Sequence, residues 1–191
     1  MSATIQYFGT CLLLATTGCA SHPDHFYTLN ALPAAVRAPL PERPIHVLLS
    51  VSVPALVDRT EMVLEDSGNG ILVLDHERWA VPLSDAVAQA LSRDIENHRA
   101  DIVVGDRSFD QGASPPVTIK VDIVRMSARR GGKATLEAHW HIVDSGAGID
   151  KIGGAAADLP IPAKGYADVA EAFGQALDSL AAQLTTEIRP R

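Results

Sequence analysis

Two runs of strict alternation constrain this chain more than any other feature. Val117, Ile119, Val121 and Ile123 alternate with Thr118, Lys120 and Asp122. Beyond Gly131-Gly132, Leu136, Ala138, Trp140 and Ile142 alternate with Thr135, Glu137, His139 and His141. A period of two puts each apolar set on one face of a strand, so this is a hairpin of an antiparallel sheet, dry on one side and wet on the other. The dry side needs a cover. Leu83, Val87, Leu91 and Ile95 form an apolar stripe after Pro82, with Ser84 at the N-cap or in the first turn. Tyr166, Val169, Phe173, Leu177, Leu180, Leu184 and Ile188 form a longer one. Two amphipathic helices and several one-sided strands predict an α+β two-layer sandwich: a mainly antiparallel sheet with both helices packed on one face.

The remaining strands are shorter. Phe26–Leu29, Ile45–Val53, Glu61–Glu65, Ile71–Leu74 and Ile102–Val104 read as strands, with Ser67-Gly68-Asn69-Gly70 as a hairpin turn. Pro33, Pro39, Pro41 and Pro44 make the stretch between the first two an extended crossing. Residues 106–116 read as loop, and a weaker edge segment is expected after Asp144-Ser145-Gly146.

The N-terminus carries a second message. Phe8–Ala15 is apolar, Thr16, Thr17 and Gly18 are small, and Cys19 follows, ahead of the polar run ASHPDH. A membrane-spanning helix needs about 20 apolar residues, whereas a signal-peptide core needs about 7 to 15 with small residues before the cut. The expected organisation is a lipoprotein signal peptide at 1–18, a lipidated tether at 19–25 beginning with acylated Cys19, and one domain over 26–191. An ordinary secretory signal, or a buried apolar N-terminus, is the alternative in which Cys19 is incidental. Cys11 lies inside the signal, so no thiol remains for a disulfide, and the exported chain relies on its core; apolar residues make up 47% of the sequence.

The net charge of −7 excludes a nucleic-acid binder, which needs clustered Lys and Arg. No nucleophile-elbow serine, P-loop or dinucleotide fingerprint is present, so no enzyme and no cofactor are expected. Glu137, His139 and His141 share one strand face, but same-face residues of a straight strand stand nearly 7 Å apart, which suits a solvated face better than a zinc site. Arg125, Arg129, Arg130 and Lys133 gather positive charge around the Gly131-Gly132 turn, either as a solubilising tip or as a dock for an acidic partner or lipid head groups.

Taken in order, these segments resemble the paraquat-inducible protein C family of ABC-transport auxiliary lipoproteins. The matching residues are Cys19, the early strand Phe26-Tyr27-Thr28-Leu29, then Val53, Pro54, Leu56, Asp58 and Arg59. Arg78, Trp79, Ala80, Pro82 and Leu83 lead into the first helix, and Trp140, Asp144 and the terminal helix complete the order. Three positions depart from the family pattern: Thr60-Glu61 replaces Pro-Gln, and Val81 replaces an acidic residue. The resemblance implies a non-enzymatic, homo-oligomeric lipoprotein on the periplasmic face of the outer membrane. It would act as the auxiliary subunit of a lipid-transport system whose envelope-spanning subunit carries a mammalian-cell-entry (MCE) domain. Asp58, Arg59, Arg78 and Trp79 would help shape the surface that meets that subunit. The competing function is a stand-alone periplasmic lipid- or ligand-binding lipoprotein.

Overall fold

A computed structural model describes residues 22–29, 39–105, 115–162 and 165–189. The signal segment, Cys19, most of the proline-rich crossing and most of the 106–116 loop lie outside the described residues. The chain runs β1 (His25–Tyr27), β2 (Ile45–Ser52), β3 (Glu61–Glu65), β4 (Ile71–Trp79), α1 (Leu83–His98), β5 (Ile102–Val104), β6 (Val117–Ala128), β7 (Lys133–Asp144), β8 (Ile149–Pro160) and α2 (Ala167–Glu187). The result is an α+β fold with both helices packed on one sheet, as the alternation and the two stripes require.

That sheet has five strands in the order β5-β2-β6-β7-β8, and a second sheet of three has the order β1-β4-β3. The long ladders β6–β7 and β7–β8 are antiparallel, while β2 pairs parallel with both β5 and β6, and β1 pairs parallel with β4. Parallel neighbours need long crossovers; β3, β4 and α1 lie on the connection from β2 to β5. The sequence reading missed this mixed pairing and the second sheet, because alternation reports a strand's faces and not its partner.

Core positions follow the predicted stripes. Leu83, Val87, Leu91 and Ile95 are buried on α1, and Val169, Phe173, Leu177, Leu180 and Leu184 on α2, against Ile119, Ile123, Leu136 and Ile142 of the sheet. Burying a Leu-sized side chain is worth roughly 1.5–3 kcal/mol, which is why neither helix needs a side-chain cap of its own. Gly68 and Gly131 take φ of 67° and 69° in their turns, the region that penalises a Cβ. The segment after Asp144, expected as a weak edge, is a full 12-residue strand. Its Gly-Gly-Ala-Ala-Ala centre has little hydropathy contrast, so periodicity understated it.

The helix ends are tied together by contacts that no local pattern announces. Arg99 follows α1, chelates Asp101 through two bonds of 2.7 Å, and donates to the Ile188 carbonyl at 2.9 Å at the far end of α2. Cationic donors suit a helix C-terminus. Between the helices, Asp94 of α1 is buried, and Asp178 Oδ1 of α2 accepts from His98 Nε2 at 2.8 Å. Burial, then the negative charge of Asp178, pushes the Asp94 carboxyl from 3.8 up to about 6, with Arg93 and His98 pulling the other way.

The sign follows directly. A raised folded-state pKa means stability is present below the unfolded value and is lost as pH rises from about 4 to about 6. Asp94→Asn is therefore expected to leave stability at pH 4 nearly unchanged and to add about 2–3 kcal/mol above pH 6.5. Urea titrations at the two pH values check this, and an equal gain at both would refute the buried-charge explanation.

Candidate functional site

The loop Pro54–Arg59 sits where the two sheets meet. Val57 N–H and Asp58 N–H both bond the Pro54 carbonyl, at 3.0 and 3.1 Å, closing a tight turn. The turn aims Asp58 at the start of α1, where its Oδ1 accepts from Ser84 N–H at 3.0 Å. A carboxylate at a helix N-terminus satisfies an orphan donor and complements the helix dipole. The cap thus comes from 26 residues upstream, whereas Ser84, the sequence candidate, supplies only the N–H.

The same turn fixes the next two residues of interest. Arg78 Nη2 lies 2.9 Å from Glu61 Oε1 and donates to Thr60 Oγ1 at 2.8 Å, joining β4 to the end of the turn. The Arg78 cation, with the backbone and Arg59, holds the Glu61 carboxyl below the usual range, the backbone hydrogen bond being the largest influence. Arg59 is exposed. Trp79 is buried, tilted against Phe173 of α2 with ring centroids 6.4 Å apart. Of the four residues singled out from sequence, Asp58, Arg59 and Arg78 frame one corner of the surface, and Trp79 presents none of its own; it supports that corner from inside.

Between that turn and the hairpin end of the β3–β4 pair the structure holds a feature the sequence reading did not identify. Pro54, Leu56, Val57, Val63, Ile71 and Val124 line an open apolar groove of about 220 Å³. Leu56, Ile71 and Val124 remain 53%, 47% and 48% exposed, and Leu72 beside them is 47% exposed. Soluble proteins scatter exposed apolar residues singly, so a cluster marks a surface that is covered in use. The signal in the sequence was the break in alternation at Val124, where the β6–β7 register shifts between Ile123 and Arg125.

Arg125 lines this groove, and the positive residues of the β6–β7 turn are engaged rather than free. Arg125 reaches Glu65 at 3.1 Å and Glu137 at 3.8 Å, and Arg129 reaches Glu65 at 3.9 Å and the Asp66 carbonyl at 3.2 Å. Bonds from Ser127 and Arg125 hold the Glu65 carboxyl below its ordinary range. Arg130 lies over the Tyr166 ring at 5.1 Å, and Lys133 pairs with Asp158 at 2.7 Å. His141 pairs with Asp150 at 2.7 Å, on the face it shares with Glu137 and exposed His139. No group of metal-ligating side chains gathers among the described residues.

The N-terminal strand is held by its own polar set. His25 Nδ1 lies 3.0 Å from Glu77 Oε1, Tyr27 Oη donates to Glu77 Oε2 at 2.5 Å, and His76 Nδ1 lies 2.9 Å from Asp24 Oδ1. Burial, then the Glu77 carboxylate, raises the Tyr27 hydroxyl to about 12, so it stays a donor throughout the physiological range.

Comparison with known proteins places this geometry. No curated protein matches the chain. A crystal structure of an uncharacterized protein superposes with a TM-score of 0.71 at 18% identity, covering 88% of this chain and 100% of that one. A Xanthomonas campestris protein of the DUF330 family superposes with a TM-score of 0.62 at 19% identity, covering 84% of this chain and 92% of that one. At such identities the likeness shows a shared fold. The model of the ABC-type transport auxiliary lipoprotein component family matches residues 27–185, from β1 to the last turns of α2, and the chain belongs to that family.

Proposed function

We propose that this protein is an outer-membrane-anchored periplasmic lipoprotein that docks the envelope-spanning, MCE-domain subunit of an intermembrane lipid-transport system, working as a homo-oligomer and without catalysis. The observation that carries the reading is membership of a transport auxiliary lipoprotein family in a chain whose first residues end in a lipoprotein-type cysteine. Ala20 rather than aspartate after Cys19 fits sorting to the outer membrane in bacteria that use that retention signal. Asp58, Arg59 and Arg78 are the proposed partner-facing corner, braced from below by Trp79.

Arg59 gives the cleanest test, because it is exposed whereas Asp58 caps α1 and Arg78 braces Glu61. Arg59→Glu is expected to keep the wild-type melting temperature and to reduce recovery of the MCE-domain subunit in cross-linked pull-downs from cells by roughly 10-fold, the effect of about 1.4 kcal/mol. Undiminished recovery removes Arg59 from the contact. Failure of the wild-type protein to recover any MCE-domain subunit defeats the docking function itself. In that case co-purified lipid on a monomer would identify a stand-alone lipid carrier instead.

A further inference from the structure

The chain direction at the N-terminus and the exposed apolar cluster concern the same end of the molecule. β1 runs parallel to β4, with His25 opposite Glu77, so the residues before His25 head back along β4 towards Ile71. Asp24 bonds His76, and the His22 ring stacks on His76 with centroids 5.9 Å apart, which holds that heading up to the last described residue. Only Ala20 and Ser21 separate His22 from Cys19 in sequence, so the acylation position follows closely on a described chain that heads towards the hairpin end, where Ile71 and Leu72 lie.

We infer that this hairpin end, with Leu56, Ile71 and Val124 at the groove and Leu72 on the other face of β4, rests on the surface of the bilayer that holds the acyl chains of Cys19. The inference depends on the acylation of Cys19 and extends it by naming the face that meets lipid. Four of the seven large apolar residues most exposed among the described residues lie at this one end, as a membrane-resting face requires and scattered surface residues do not. Arg125 and Arg129 beside the groove are about half exposed but engaged with Glu65, so the apolar cluster rather than charge carries the contact. Among the described residues no helix is long and apolar enough to cross a membrane, so the contact is interfacial. Arg78, opposite Glu61, lies at the other end of the β3–β4 pair from Ile71.

The experiment uses the full acylated protein on vesicles of phosphatidylethanolamine and phosphatidylglycerol, with or without brominated acyl chains. Trp79 and Trp140 are buried and give a background remote from lipid. Leu72→Trp, and independently Ile71→Trp on the other face of the strand, are expected to shift to the blue on vesicles and to lose most of the added emission to brominated lipid. Ile152→Trp, the most exposed apolar position and on β8, is expected to lose none. Flotation of wild-type and Cys19→Ser proteins tests the anchor separately. If wild type floats, Cys19→Ser does not, and both hairpin reporters stay unquenched, the anchor stands and the membrane-facing assignment is overturned. Blue-shifted but unquenched reporters overturn it in favour of a protein partner or a second copy. If flotation does not depend on Cys19, the anchor reading falls and takes the assignment with it.

Discussion

Cys19→Ser protein is expected to leave the membrane fraction almost completely while keeping the melting temperature of the acylated form. The expectation comes from the size of the anchor term. Each buried CH₂ of an acyl chain contributes ~0.8 kcal/mol, one chain binds marginally, and two or more hold a protein stably. Nothing else among the described residues replaces that. The net charge is −7, the basic side chains at the β6–β7 turn are engaged with Glu65, Glu137 and Asp158, and an apolar face of four side chains supports only weak, reversible contact. Stability is untouched because Cys19 precedes β1 and every core residue identified here. Membrane fractionation in cells lacking the transport partners checks it; Cys19→Ser protein that still sediments with outer membranes shows that something other than acylation holds the protein there.

Gly153→Ala is expected to destabilise the fold by about 2–4 kcal/mol, a large effect for one methyl group. Gly153 of β8 stands directly opposite Trp140 of β7, and the indole lies over it. A Cβ built at Gly153 falls 2.2 Å from Trp140 Cζ2 and 2.6 Å from Cε2. The ring has nowhere to retreat, since it is buried with Leu136, Ala138 and Ile142 on the same strand face. Its N–H has no hydrogen-bond partner among the described residues, so packing alone fixes its position.

A double-mutant cycle isolates the clash. Trp140→Ala alone costs about 3–5 kcal/mol through the cavity it leaves, but in that background Gly153→Ala is expected to add little. Full additivity of the two would show that Gly153 matters for backbone conformation and not for the indole above it. The neighbouring Gly154 offers a control, because a Cβ there approaches nothing closer than the Ala138 carbonyl oxygen at 3.3 Å.

The Trp140–Gly153 pair marks the boundary of what could be read without coordinates. Trp140 was legible as core because it alternates with His139 and His141. Gly153 was not legible as its complement, because the pairing register of two strands is not a property of either. The same holds at the candidate site. Asp58, Arg59, Arg78 and Trp79 stood out by their family pattern, yet nothing local told that Asp58 caps a helix or that Trp79 is buried against Phe173. The break in alternation at Val124 was the groove's one local sign; its assembly was not legible, since Leu56, Ile71 and Val124 belong to three separate segments.

By itself the sequence determined the elements whose signal repeats: the β6–β7 hairpin with its glycine turn, the buried stripes of α1 and α2, and the α+β layering that one-sided strands and one-sided helices impose. Periodicity suffices there because the burial of each face is set by residues two to four apart. Tertiary structure alone decided the parallel pairing of β2, the second sheet, the full length of β8 and the apolar groove. Contacts such as Ser84 with Asp58, Arg125 with Glu65 and Trp140 over Gly153 join residues far apart or on separate strands. Their energies depend on how layers already formed are placed against one another, and no window of local sequence contains that placement.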